Sequence, residues 1–112
     1  MHGLDPDRLD VYRVALAHRR RVALHARGLS EALRSQLVRA SDSVVLNTAE
    51  ACGRAHRRDR CQFFAIARGS AFECFAAWDI LLVQGAIEEA DYRVVQKLLV
   101  RVVQMLTKLA RP

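Results

Sequence analysis

The sequence has 112 residues, is 52% hydrophobic and 27% charged, and carries a formal net charge of +6 at pH 7. That size and balance fit one compact domain and exclude a disordered chain. No uncharged apolar run reaches the roughly 18 to 20 residues of a membrane span, and the start, MHGLDPDRLD, is acidic and polar where a secretion signal is basic and then apolar, so a cytoplasmic protein without a membrane partner is expected.

Four helical patterns follow one another in a single domain, residues 1–112, with no strand alternation, long linker or repeat. The first is expected over about 6–27: Pro6 suits a first helical position, Leu9, Tyr12, Leu16 and Ala23 share a stripe, and Gly28 is the stop. The second, about 30–52, is capped by Ser30, carries Glu31 at the positive end of its dipole, and is ended by Gly53. The third runs over about 57–84 to Gly85, and the fourth over about 88–110. In the fourth, Tyr92, Val95, Leu99, Val102, Leu106 and Leu109 step by three and four, the seam of a left-handed bundle. Helices of 20 to 28 residues span roughly 30 to 42 Å, and short turns between them imply an all-α, up-and-down antiparallel four-helix bundle.

Helices two and three are apolar or small nearly all round. Phe63, Phe64, Phe72, Phe75, Trp78, Ile80, Leu82 and Val83 point in most directions about the third helix. A bundle this small has too little interior to hide both helices, so a homo-oligomer is expected.

Three cysteines, Cys52, Cys61 and Cys74, form no Cys-x-x-Cys pair and read as buried reduced thiols. Cys52 and His56 supply half a metal site with no second ligand pair, so no metal and no cofactor are expected.

Sixteen of the 18 basic residues are arginine. Val11 to Arg39 holds seven of them, including Arg19, Arg20 and Arg21, against Glu31 alone; a second cluster, Arg54, Arg57, Arg58, Arg60 and Arg68, faces Asp59. Such a field attracts polyanions, nucleic acid first, while the plainer alternative is a solvated arginine-rich surface. Arg19, Arg20, Arg21, Arg54, Arg57, Arg58 and Arg60 are the candidate nucleic-acid contacts.

The second helix also carries a polar line. Gln36, Arg39, Ser43, Asn47 and Glu50 fall within about 80° of one another on a helical wheel, beside the apolar stripe Leu33, Leu37, Val44 and Ala51. Ser70 and Glu73 on the third helix are candidate partners, with Gly69 permitting close approach. The expectation is a buried structural seam in which Arg39 pairs with Glu73, because buried charges persist only when paired.

The run QLVRASDSVVLNTAEACGR followed by FFAIARGSAFE resembles the signature of the small four-helix bundle proteins first met as intervening-sequence proteins of bacterial large-subunit ribosomal RNA genes. Gln36, Arg39, Ala40, Ser43, Asn47, Ala49, Glu50, Gly53, Arg54, Phe63, Ile66, Ala67, Gly69, Ser70 and Glu73 match that pattern. Ala51 stands where the pattern has glycine, which extends helix two, His56 where it has serine, and Arg60 where it has an aromatic residue. The family is similar to the accessory protein of diversity-generating retroelements, a basic pentameric barrel that engages nucleic acid and a reverse transcriptase. The resemblance therefore implies a homopentameric ring.

Three functional classes follow. The first is a non-enzymatic oligomer that binds RNA or DNA with little sequence preference, since few aromatic residues accompany the arginines. The second is a scaffold or adaptor for another protein. The third is an enzyme using Arg39, Asn47, Glu50 and Glu73, which the absence of a histidine beside any candidate nucleophile disfavours. A seam sealed within the bundle would exclude catalysis there.

Overall fold

The structure, a computed structural model, describes residues 5–112; His2 and its neighbours at the start of the chain lie outside the described residues. Four α-helices and one short turn of 3₁₀ helix make up the chain: α1 Pro6–His25, the turn Ala26–Gly28, α2 Glu31–Gly53, α3 Arg57–Val83 and α4 Glu89–Leu109. No strand occurs among the described residues.

The helix ends follow local chemistry. The Asp5 carboxylate accepts from the Asp7 and Arg8 amides, and Pro6 opens α1 where a missing N–H costs nothing. α-Helical geometry then ends at His25, and Ala26–Gly28 tighten into a 3₁₀ turn short of the expected end at residue 27. Ser30 Oγ accepts from Leu33 N at 3.3 Å, capping α2. At the end of α3, Gly85 takes φ +70. The Ala86 amide bonds Leu81 O at 2.8 Å and the Gly85 amide bonds Leu82 O at 3.0 Å, the paired bonds of a Schellman cap that only a glycine accepts without strain.

α1 packs on α2 and α4, and α3 packs on the same two helices, giving a bundle of 43 × 22 × 22 Å. Because each connection is only a few residues long and each helix nearly spans the molecule, sequential helices reverse direction. One end therefore gathers the start of α1, the end of α2, the start of α3 and the end of α4. The bond from Arg57 Nη2 to Pro112 O, 2.7 Å, crosses that end.

Leu37, Val44 and Ala51 of α2, Phe64 and Trp78 of α3, and Val95, Leu99, Val102 and Leu106 of α4 form the core with Val11, Ala15 and Val22 of α1. The α4 seam lies in the core over its four central positions, and its ends, Tyr92 and Leu109, are half-buried. The expected α1 stripe is corrected. Leu16 is 42% exposed, Ala23 is exposed, and Leu9 and Tyr12 are only half-buried; the buried stripe is Val11, Val14, Ala15, His18 and Val22. α1 carries aliphatic residues on both sides, so its period did not choose a face. The choice comes from Trp78, whose indole N–H donates to His18 Nε2 at 2.9 Å and lets an imidazole occupy a core position.

The cysteines also differ from expectation, since only Cys74 is buried and Cys52 and Cys61 are half-buried. Burial, reinforced by the neighbouring Glu73 carboxylate, pushes the Cys74 thiol up to about 12, which makes it inert. Among the described residues, no helix is long and apolar enough to cross a membrane.

Candidate nucleic-acid interface and polar cleft

The polar line of α2 is brought against α3, but only its inner part forms a network. Ser43 Oγ and Ser70 Oγ lie 2.7 Å apart, and Asn47 Nδ2 donates to Ser43 O at 2.9 Å and to Ser43 Oγ at 3.0 Å. Ser70 is buried, while Ser43 and Asn47 are half-buried. Glu50 turns away to pair with Arg54 one helical turn on.

The outer part is an open cleft of about 200 Å³ lined by Gln36, Arg39, Ala40, Ser43, Ser70 and Glu73. The expected Arg39–Glu73 pair is absent: both side chains are exposed, and neither makes an ion pair among the described residues. Their positions on the wheel lie beside the core, but two helices in contact leave the outer edge of their seam to solvent, where long charged side chains remain hydrated. The cleft is not sealed, so the condition that would exclude chemistry there is not met. It contains no histidine or cysteine, and its two hydroxyls bond each other.

The candidate arginines divide into two groups. Arg19, Arg20 and Arg21 lie along α1 and, at about 100° per residue, point three ways. Arg19 Nε is 2.6 Å from Asp42 Oδ1 on α2, Arg21 is half-buried, and Arg20 alone is fully in solvent. Arg54, Arg57, Arg58 and Arg60 instead sit at the end of the bundle where α2 finishes and α3 begins. The Arg54 guanidinium rests 4.7 Å from the centre of the Phe63 ring, and Arg60 Nη1 ties down the α2–α3 turn through Ala55 O at 2.8 Å. Arg58 is exposed and makes no ion pair among the described residues.

The fold adds three cations that sequence reading passed over. Arg8 from the start of α1, and Lys108 and Arg111 from the end of α4, join Arg57 and Arg60 around a cleft of about 310 Å³, with Cys61, Phe64 and Leu109 as its remaining lining. They are scattered across the sequence, and only the alternating direction of the helices collects them. The available signal was positional: each lies near a helix end that an up-and-down bundle brings to the same pole. Among the described residues, no carboxylate side chain lines this cleft.

Three comparisons with known proteins bear on identity. A search of curated proteins finds no match. Among solved structures, the chain is similar to a protein of unknown function from the S23 ribosomal protein family of Bacteroides thetaiotaomicron VPI-5482. The two share 19% sequence identity and a TM-score of 0.85, over 91% of this chain and 99% of that one. At that identity the likeness shows the fold. The sequence profile described as 23S rRNA-intervening sequence protein matches residues 7–108, nearly the whole length, and by that match the chain belongs to the 23S rRNA-intervening sequence protein family.

Proposed function

We propose that this protein is a non-enzymatic homo-oligomer that binds nucleic acid through phosphate contacts, with little sequence preference. The observation that carries the reading is the pole of the bundle where Arg8, Arg57, Arg60, Lys108 and Arg111 surround one cleft with no acidic side chain among its described lining residues. Exposed Arg58 stands beside it on α3. Assembly multiplies such contacts by avidity. Support for assembly comes from the outer face of α2 and α3, where Leu46 is 65%, Phe72 47%, Ile80 46% and Val83 88% exposed. Arg39 and Glu73, unpaired within one chain, lie on that face and pair between copies in this reading. A ring of five follows from the family resemblance.

The same apolar face supports a second reading, a scaffold that receives another protein there. The open cleft keeps an enzyme conceivable in geometry, but its mutually bonded serines have no adjacent base.

A fluorescence-anisotropy titration of a duplex oligonucleotide at two salt concentrations tests the proposal. The logarithm of affinity is expected to fall with the logarithm of salt at a slope of about −0.9 per phosphate contact. Replacing Arg57, Arg58 and Arg60 by Ala flattens the slope more than replacing Arg19, Arg20 and Arg21, because Arg19 is already engaged by Asp42. Absence of binding by the unaltered protein at about 50 mM salt, where such contacts are strong, gives the scaffold reading the advantage.

A further inference from the structure

The geometry points to the cationic pole cleft as a pocket for a terminal phosphate, the dianionic phosphomonoester at the end of a nucleic-acid strand; this inference rests on the nucleic-acid reading above. Five cationic side chains converge on a space of about 310 Å³. Like charges gathered this closely repel one another unless an anion joins them.

Their existing partners leave donors over. Arg57 gives one bond to Pro112 O, and Arg60 gives bonds to the uncharged carbonyls Ala55 O and Arg54 O, which leaves guanidinium N–H groups over. Arg8 Nε is shut off from solvent and has no hydrogen-bond acceptor among the described residues, with Asp5 Oδ2 3.8 Å away. The Asp5 carboxylate is itself engaged by the first amides of α1. Arg57 also opens α3, whose first turn receives no side-chain cap from His56, so backbone N–H groups add to the positive end.

The charge count favours a strand end over an internal phosphate. A phosphodiester carries one negative charge and must leave the pocket in two directions. A monoester carries up to two charges at neutral pH, offers three terminal oxygens, and leaves in one direction. A wider adjoining hollow of about 670 Å³, lined by Arg57, Arg58, Cys61, Gln62, Ala110 and Pro112, leaves room for the attached nucleoside. Arginine forks suit terminal phosphate oxygens, and the cleft supplies four of them with one lysine.

The test compares one single-stranded oligonucleotide carrying a 5′-phosphate, a 3′-phosphate or hydroxyl ends, with inorganic pyrophosphate and a nucleoside monophosphate as free competitors. Cys61, in the wall of the cleft, provides a second readout through its rate of alkylation by iodoacetamide, followed by peptide mass spectrometry. A phosphorylated end is expected to bind about tenfold tighter than hydroxyl ends, as charge-assisted bonds warrant. The preference should shrink below about pH 6, where the monoester dianion takes up one proton and keeps a single negative charge. It should vanish in the double variant Arg57→Gln, Lys108→Gln, whose side chains are exposed and whose folding is checked by circular dichroism. Arg93→Gln, exposed at the start of α4 at the opposite end of the bundle, should retain it.

Equal affinity for all three oligonucleotides overturns the pocket and leaves general backbone binding standing. Failure of every oligonucleotide to bind, with pyrophosphate or the nucleotide still slowing Cys61 alkylation, keeps the phosphomonoester pocket, assigns it to a free ligand and overturns the nucleic-acid reading. No oligonucleotide binding and no protection of Cys61 overturns both.

Discussion

His18 shows how one buried side chain sets a property of the whole fold. Burial, with a smaller contribution from the neighbouring Arg19, lowers its pKa to about 4, so it stays neutral and accepts the Trp78 indole bond. In the unfolded chain the same imidazole titrates near its ordinary value of about 6.5, so between those values the unfolded state binds more protons. Stability is therefore fully present above the unfolded pKa, declines as pH falls through the window, and levels off near pH 4. A loss of about 2 kcal/mol between pH 7 and pH 5 is expected from this group. Urea midpoints of the unaltered protein and of His18→Gln, which keeps an acceptor for Trp78 without titrating, check it: the variant should lose most of that pH dependence. Thr48 offers a contrasting case. It is fully buried on α2, and its Oγ1 finds no hydrogen-bond partner among the described residues. Thr48→Val keeps the shape and removes an unsatisfied hydroxyl, so a gain of about 1 kcal/mol is expected, read as a higher melting temperature.

Each helix divides its surface differently. α4 has one strongly apolar stripe, and its burial was legible from spacing alone. α3 buries Phe64, Ala71 and Trp78 but leaves Phe72 under the Arg68 guanidinium, 4.9 Å from the ring centre, with Ile80 and Val83 in solvent. Phe72→Glu with Ile80→Glu should release monomers of 12.6 kDa in size-exclusion light scattering while helicity is retained, because neither side chain belongs to the core. Unchanged assembly would move the subunit contact to another face. Arg39 belongs to the same surface. A buried pair with Glu73 would make Arg39→Ala cost about 3 to 5 kcal/mol, whereas an exposed arginine costs within about 0.5 kcal/mol. The small effect is expected for folding of the single chain, measured at a concentration where it is monomeric. If copies pair through these residues, Arg39→Glu weakens assembly and the double exchange with Glu73→Arg restores it.

For the molecule as a whole, the expected state is an assembly with a mass five times 12.6 kDa at micromolar concentration. A monomer by light scattering would remove both the argument from exposed apolar surface and the avidity on which the nucleic-acid proposal draws. The charge of +6 is unevenly spread: Arg19 and Arg54 stand beside the acids Asp42 and Glu50, whereas five cationic side chains gather around the cleft at one pole. In the proposed reading, contact with nucleic acid depends on the bundle's end more than on its average charge.

The number and order of the helices were readable directly, because Pro6, Ser30 and Gly85 act on the residues next to them and the α4 repeat states which side is apolar; Gly53, expected as the stop of helix two, is instead the last residue of α2. The motif from Gln36 to Glu73 located the meeting of α2 with α3 and marked Ser70 as a partner of the polar line; that Ser43 is the residue it meets came from the structure. Tertiary structure alone decided which face of α1 is buried, since its two sides are equally aliphatic and Trp78, 60 residues away, selects His18. It also left Arg39 and Glu73 in water, because a seam between two helices has an outer edge that spacing does not distinguish from its inner one. The pole cleft was the least legible feature. Arg8, Arg57 and Lys108 are remote in sequence, and only reversal of the chain at every turn places them around one space.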